Sequence, residues 1–96
     1  MHIKIPHKLT QAEATQKVKD TLAGLKTQFA DKVVVNQEKW EGNTLNFDGT
    51  IEGQNITGTL VVEASDYVLD AKLPLMLRMF EGRIEKGIAE QVQKLM

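Results

Sequence analysis

Cysteine is absent from this chain of 96 residues, and its absence excludes several kinds of function. Without cysteine the protein has no disulfides, no thiolate nucleophile and no thiolate-bound metal. Histidine is scarce as well, since His2 and His7 are the only two. Residues five apart on a strand point to opposite faces, so these imidazoles do not form a metal site together. We expect both to be exposed polar residues.

Long hydrophobic runs are also missing. No apolar segment is long enough to span a bilayer. Residues 1–6, MHIKIP, alternate in polarity and do not form the apolar core of a signal peptide. We therefore expect a cytoplasmic protein without a transmembrane segment. The chain shows no repeat, linker or low-complexity segment, and we expect one domain spanning residues 1–96.

Residue patterns that carry catalysis are scarce in this chain. Asp48 and Asp70 are predicted on the exposed face of a sheet, two strands apart, where carboxylates lack the burial or proximity that catalysis requires. Ser65 is predicted in a turn with no adjacent base. No glycine-rich loop lies between a strand and a helix, so no phosphate-binding motif is present. The sequence predicts a protein that is not an enzyme and that uses no cofactor.

Charge is distributed unevenly, although the net charge is only −1. Residues 1–40 carry a net +3, residues 41–73 a net −5 and residues 74–96 a net +1. The middle of the chain is thus acidic and would repel phosphates. For that reason we expect no nucleic-acid partner.

The clearest positive signal is the alternation of apolar and polar residues between positions 44 and 73. It predicts three antiparallel strands joined by two-residue turns at Gly53-Gln54 and Ala64-Ser65. Across the first turn the predicted pairs are Ile51 with Ile56, Gly49 with Gly58, Phe47 with Leu60, and Leu45 with Val62. Across the second turn they are Val62 with Tyr67, Leu60 with Leu69, Gly58 with Ala71, and Ile56 with Leu73. Both registers place apolar side chains on one face, which must be covered.

Two further strands are predicted before this meander. Residues 32–40 centre on Val33-Val34-Val35 and would turn back at Gly42-Asn43. The predicted pairs there are Trp40 with Leu45, Glu38 with Phe47, Asn36 with Gly49, and Val34 with Ile51. Residues 2–9 alternate through Ile3 and Ile5, and Pro6 favours an edge strand.

Two amphipathic helices flank the strands. Thr10-Gln11-Ala12-Glu13 is a capping box that predicts the start of the first helix. The second helix is predicted from Phe80 to the end of the chain, and residues 75–77 are either the entry to it or an exposed loop. Apolar residues recur at helical spacing in both. They are Ala14, Val18, Leu22, Leu25 and Phe29 in the first helix, and Phe80, Ile84, Ile88, Val92 and Leu95 in the second.

These elements give the order β-α-β-β-β-β-α. The simplest closure places the first strand beside the last, antiparallel to it. The result is a five-stranded antiparallel sheet with two helices packed on one face. This is a small α+β fold, and it resembles a shortened helix-grip arrangement.

A row of small residues crosses the predicted inner face of the sheet. The row consists of Asn36, Gly49, Gly58 and Ala71. One interpretation is close packing of a helix, since glycine in a strand often marks the close approach of another backbone. The other is an apolar cavity for a lipid-like or polymer-derived ligand. The residue pattern leaves both open.

A cluster of apolar residues follows Pro74, namely Leu75, Met76, Leu77, Met79 and Phe80. Either these residues close the end of the core, or they form an exposed surface that docks on another copy or on a hydrophobic surface. Arg78 and Arg83 would then lie at its polar margin. The sequence leaves formation of a homodimer open, at this cluster or through an edge strand.

Several segments carry a resemblance that covers essentially the whole chain. They are residues 1–14 (MHIKIPHKLTQAEA), 40–47 (WEGNTLNF), 56–60 (ITGTL), and 73–74 (LP) followed by 80–85 (FEGRIE). In these segments the chain resembles the polyhydroxyalkanoic acid system protein family, which is small and bacterial. The shared features are turns, glycines and core residues. The resemblance therefore implies a fold more than an activity, and it brings no catalytic residues.

The family's name implies genes near those for storage-polyester granules. From it we expect a non-enzymatic cytoplasmic accessory or binding protein associated with polyhydroxyalkanoate storage-granule metabolism. Its expected partners are the polyester granule surface or granule proteins. The alternative is a carrier of a small hydrophobic ligand, such as a fatty-acyl or hydroxyacyl group, with a cavity between helices and sheet.

Overall fold

The computed structural model describes residues 1–95, apart from the side chains of Val92 and Leu95. Its strands are β1 (His2–Pro6), β2 (Val33–Glu41), β3 (Thr44–Ile51), β4 (Gln54–Val62) and β5 (Asp66–Lys72). Its helices are α1 (Gln11–Gln28), the single turn α2 (Leu75–Arg78) and α3 (Glu81–Leu95). The strands form an antiparallel sheet in the order β1-β5-β4-β3-β2. The predicted α+β fold is confirmed, and α2 is an addition to the predicted order.

The first strand lies beside the last, as predicted, and the β4–β5 hairpin has the predicted register. A slip by one residue would turn the apolar side chains of these strands into solvent, which is why alternation specified the pairing. The pairs are Ile3 with Leu69 and Ile5 with Tyr67 between β1 and β5, and Val62 with Tyr67, Leu60 with Leu69 and Gly58 with Ala71 between β4 and β5.

The predicted register of the β3–β4 hairpin is wrong by two residues. The turn lies at Glu52-Gly53 and not at Gly53-Gln54. Both turn residues have positive φ, +49° for Glu52 and +82° for Gly53, and a turn of this kind places glycine favourably at its second position. A shift by two leaves every side chain on its predicted face. The pairs are Leu45 with Leu60, Phe47 with Gly58, and Gly49 with Ile56.

β2 contains a bulge that simple alternation does not predict. The predicted pairs Trp40–Leu45 and Glu38–Phe47 are confirmed, but the register shifts between Val35 and Gln37. Asn36 is the extra residue. It lies on the outer face, where its amide donates to Asp48 Oδ1 at 3.2 Å and to Thr50 Oγ1 at 3.0 Å. The predicted pairs beyond the bulge are therefore wrong, and the observed ones are Val35 with Gly49 and Val33 with Ile51.

α1 and α3 pack on the same face of the sheet. The predicted capping box starts α1, since the N–H of Glu13 donates to Thr10 Oγ1 and the N–H of Thr10 donates to Glu13 Oε1, both at 3.1 Å. The Tyr67 hydroxyl donates to the carbonyl oxygen of Ala14 at 3.2 Å and ties α1 to β5. The resulting core cluster is formed by Ile5, Ala14, Val62 and Tyr67, and it is covered by side chains that include Val18 of α1 and Ile88 and Ala89 of α3.

His7 is buried, which corrects the expectation that both histidines are exposed. Only 6% of its surface is accessible, whereas His2 is exposed. The N–H of Leu9 donates to Nδ1 of His7 at 3.2 Å, so the ring proton is on Nε2, which donates to the carbonyl oxygen of Glu63 at 2.9 Å. The ring centroid lies 4.9 Å from that of Tyr67. His7 follows β1, so strand alternation no longer sets its direction, and it joins the start of α1 to the β4–β5 turn.

Candidate functional site

The core cluster lies at one end of the sheet, and the large exposed apolar side chains lie at the other end, where Ala71 and Leu73 are nevertheless buried. The core cluster lies where β4 ends and β5 begins. At the other end α1 ends, β2 begins, β3 turns into β4, and β5 leads into α2. The large exposed apolar side chains in the described part of the chain all belong to these segments: Leu25, Phe29, Val34, Ile51, Leu75, Met76, Met79 and Phe80. Val34 lies on the outer face, and we refer to the other seven as the apolar end.

Residues 74–80 contribute the most exposed part of the apolar end. The N–H groups of Leu77 and Arg78 donate to the carbonyl oxygen of Pro74 at 2.9 and 3.1 Å, and this closes the single turn α2. Leu75 is 77% exposed and Met79 is 83% exposed, whereas Leu77 is half-buried. Four of the five residues in the predicted cluster are therefore exposed, namely Leu75, Met76, Met79 and Phe80.

The last turns of α1 form the other side of the apolar end. Leu25 and Phe29 continue the apolar stripe that begins at Ala14, but only the beginning of this stripe joins the core cluster. The carbonyl oxygen of Phe29 accepts from the N–H groups of Lys32 and Val33 at 2.9 and 2.7 Å. The chain therefore turns directly into β2 at the end of α1.

Charges of both signs border the apolar end. Lys32 and Glu52 are exposed on the strand side, and Arg78 is exposed on the helix side. Glu81 is also on the helix side, at the start of α3, where its Oε1 is 2.8 Å from the α-amino nitrogen of Met1. This ion pair holds the first turn of α3 against the sheet, because the same amino group donates to the carbonyl oxygen of a β5 residue at 2.8 Å.

Polar contacts hold the second half of α1 to β2. Oε1 of Glu38 lies 2.6 Å from Lys26 Nζ, and Trp40 Nε1 donates to Oε2 of Glu38 at 3.3 Å. The hydrogen bond from Lys26 lowers the pKa of Glu38, and partial burial opposes that shift. Lys19 Nζ lies 5.1 Å from the centroid of the Trp40 ring, a distance suited to a cation–π contact. Glu38 lies opposite Phe47 on the inner face, and its charge is balanced there by Lys26.

The predicted row of small residues is not continuous. Asn36 lies on the outer face, and Gly49 pairs with Ile56, two residues along β4 from Gly58. Only Gly58 and Ala71 remain direct neighbours. A Cβ atom on Gly58 would lie 2.9 Å from Cζ of Phe47. The ring of Phe47, and not a helix, therefore lies against Gly58.

An open groove of about 660 Å³ lies beside Gly58 and Ala71, near the start of β1. Lys72 and Arg78 are among its lining residues, and neither has an ion-pair partner in residues 1–95. The other lining residues are Met1, His2, Thr57, Thr59, Asp70, Leu73 and Glu81. The groove includes two of the four predicted cavity residues, and a ligand for it stays a hypothesis.

Two further observations concern the described part of the chain. No helix in it is long and apolar enough to cross a membrane. Nor does it bring three or more His, Asp or Glu side chains close enough together to hold a metal ion. The unusual feature of the described surface is the apolar end.

The sequence patterns did not single out Leu25, Phe29 and Ile51 as site residues. Helical spacing assigned the first two to the core, and strand alternation did the same for the third. The buried first half and the exposed second half of the apolar stripe of α1 have the same helical periodicity. No local feature of the sequence therefore distinguishes them. Only the cluster after Pro74 could be recognised, because several large apolar residues are adjacent there.

This is a small α+β protein in which helices cover one face of an antiparallel sheet and leave one end of that face apolar and open. A family model described as "Putative polyhydroxyalkanoic acid system protein" matches residues 1–96, the whole chain. The chain belongs to this family, and the resemblance found in the sequence is confirmed. Comparison with curated proteins and with solved structures gives no significant match.

Proposed function

We propose that this protein is a non-enzymatic accessory protein of polyhydroxyalkanoate storage, that it acts in the bacterial cytoplasm, and that it docks on the polyester granule through its apolar end. The family description supports the polyhydroxyalkanoate context. The observation that carries the docking is the exposure of four large apolar side chains within six consecutive residues, namely Leu75, Met76, Met79 and Phe80.

Transfer of these side chains from water to an apolar surface supplies the driving force. Full burial of a Leu, Phe or Met side chain is favourable by about 1.5–3 kcal/mol. Methionine is flexible and polarizable, so Met76 and Met79 can adapt to an irregular surface such as a polymer. Arg78 and Arg83 are exposed on the same segments and can stay in water at the margin of the contact.

Co-sedimentation with isolated granules tests this function. Met76→Gln combined with Met79→Gln keeps the side-chain length and the helix propensity but removes apolar contact. We expect the wild type to pellet with granules and this double variant to stay in the supernatant. Val34→Thr removes an exposed apolar group from the outer face and is the matched control, which should pellet like the wild type.

Circular dichroism of each variant shows whether the fold is retained. Leu77 is left unchanged because it is half-buried, and its substitution would affect packing as well as docking. A wild type that stays in the supernatant contradicts the proposed function. So does a folded double variant that pellets as well as the wild type.

The groove beside Gly58 and Ala71 favours a second candidate function, a carrier of fatty-acyl or hydroxyacyl groups. Lys72 and Arg78 at this groove offer cationic groups for a carboxylate. Titration with a fluorescent fatty-acyl or hydroxyacyl probe tests the carrier. We expect saturable binding that Arg78→Gln weakens and the control Arg83→Gln leaves unchanged. No saturable binding, or equal binding by both variants, removes this candidate.

A further inference from the structure

The protein exposes more surface than a compact monomer of its size. Its accessible surface is 6357 Å², whereas a folded monomer of 10.8 kDa is expected to expose about 5,500 Å². The radius of gyration is 12.9 Å, close to the value of about 12.5 Å for a compact chain of this length. An extended shape therefore does not account for the excess of about 800 Å². Each partner buries about 800 Å² in a protein–protein interface of standard size.

The exposed apolar side chains are concentrated at the apolar end. Leu25 and Phe29 lie on its α1 side, and Leu75 and Met79 on its α2 side, with Ile51 at the end of β3. The apolar end has seven large exposed apolar side chains, whereas the described part of the chain buries five: Ile5, Leu45, Val62, Tyr67 and Leu73. Such a concentration of uncovered apolar surface on one end is typical of an interaction site.

The charges around the apolar end fit a second copy of the same chain. A rim of one sign would repel an identical partner. Here the strand side carries Lys32 and Glu52, and the helix side carries Arg78 and Glu81. A two-fold axis can bring the helix side of one copy against the strand side of the other. Each side then presents a cation and an anion to its partner, so the rim does not repel a second copy, and Arg78 can approach Glu52 in both halves of the contact.

We propose that a second copy of this chain covers the apolar end, in a two-fold symmetric dimer whose two apolar ends contact each other. The same surface is used on both copies, so one interface closes the assembly. If the proposed granule docking holds, the dimer would also regulate it, because the dimer conceals the surface that docks on the granule. Granule docking then requires dissociation, and the two associations compete.

The oligomeric state in solution is the first test. Sedimentation velocity of the full chain should give twice the monomer mass at high concentration and a shift toward the monomer on dilution. Met76→Gln with Met79→Gln should remain monomeric over the same range. Val34→Thr should dimerise like the wild type. A wild type that is monomeric throughout, or a folded double variant that dimerises equally well, overturns the proposal.

The absence of cysteine allows the geometry of the dimer to be tested with single introduced thiols. Met79→Cys places a thiol at the apolar end, and Ser65→Cys places one in the β4–β5 turn at the opposite end of the sheet. A short bis-maleimide should cross-link the Met79→Cys variant to a covalent dimer and leave the Ser65→Cys variant monomeric. The reverse pattern, or equal cross-linking of both, overturns the end-to-end arrangement.

Granule co-sedimentation separates this inference from the proposed function. A dimer that forms through the apolar end but never pellets with granules upholds the inference and contradicts the docking function. A monomer that pellets with granules upholds docking and overturns the inference. If the protein both dimerises and docks through the apolar end, the dimer competes with the granules for that surface. At high protein concentration, the fraction bound to a fixed amount of granules should then be lower than simple saturation predicts.

Discussion

Gly58 is the residue at which the sheet tolerates a side chain least. An added Cβ atom would meet the carbonyl oxygen of Asp70, Cα of Ala71 at 2.8 Å, and Cζ of Phe47 at 2.9 Å. Two of these three atoms belong to the backbone of β5 and cannot rotate away. We expect Gly58→Ala to lower the free energy of unfolding by about 2 kcal/mol, as overpacking does, measured by urea denaturation.

Gly49→Ala is the matched control for this substitution. Gly49 is also a strand glycine of the inner face, but its Cβ atom would meet only the carbonyl oxygen of Val34, at an ordinary 3.5 Å. We expect a change within about 0.5 kcal/mol. Equal losses in both variants would mean that crowding at Gly58 is not the cause.

Single residues are also where sequence patterns were least informative. Strict alternation predicted that the Asn36 side chain points to the inner face. The bulge adds one residue to β2, so the side chain points to the outer face instead. His7 was expected in water because it is polar, but two backbone groups satisfy both of its ring nitrogens. Three of the four partners of these side chains, Asp48, Thr50 and Glu63, lie 12 or more residues away in the sequence. The outcome therefore depended on contacts that a local pattern does not contain.

The contact between α1 and β2 gives a prediction at the scale of elements. Lys26 lowers the pKa of Glu38 from its ordinary value of 4.5. A carboxylate with a lowered pKa in the folded state stabilises the fold above its unfolded pKa, and this contribution is lost as the pH falls through the folded pKa. We therefore expect the wild type to lose stability on acidification from about pH 5 downward, measured by urea denaturation at several pH values.

Glu38→Gln isolates this contribution. The variant should be less stable than the wild type near neutral pH, and the difference should shrink as the pH falls, because the wild-type carboxylate is then protonated as well. Glu41→Gln removes a more exposed carboxylate of the same strand, near Lys39, and should alter stability less, as surface pairs do. A Glu38→Gln effect that stays constant with pH would contradict the role of charge.

Whole elements were predicted better than their register. The start of α1 followed from the capping box at Thr10 and Glu13, and the pairing of β1 with β5 followed from the simplest closure of the sheet. The β3–β4 turn was misplaced by one residue because Gly53 suits either position of a two-residue turn. Every predicted β3–β4 pair was therefore shifted by two residues. Because side chains alternate with a period of two, each one still lies on its predicted face of the sheet.

At the scale of the whole molecule, the separation of the buried cluster from the apolar end predicts a gradient of local stability. Amides in the strands around Val62 and Tyr67 should exchange with solvent most slowly, and those near Ile51 and Gln54 faster, because fewer buried contacts oppose local opening there. Hydrogen exchange measured by NMR at low protein concentration tests this. Uniform protection along β3 and β4 would contradict the gradient.

The amino-acid sequence was sufficient to predict the order of the elements apart from α2, the apolar face of the sheet, the apolar stripes of the helices and the family. These follow from periodicity, capping and turn residues, which are local. The β3–β4 register, the outward direction of Asn36, the burial of His7 and the uncovered end of the sheet became clear only from the three-dimensional packing. Periodicity states which face a side chain occupies, but coverage of that face depends on where helices distant in the sequence cross the sheet.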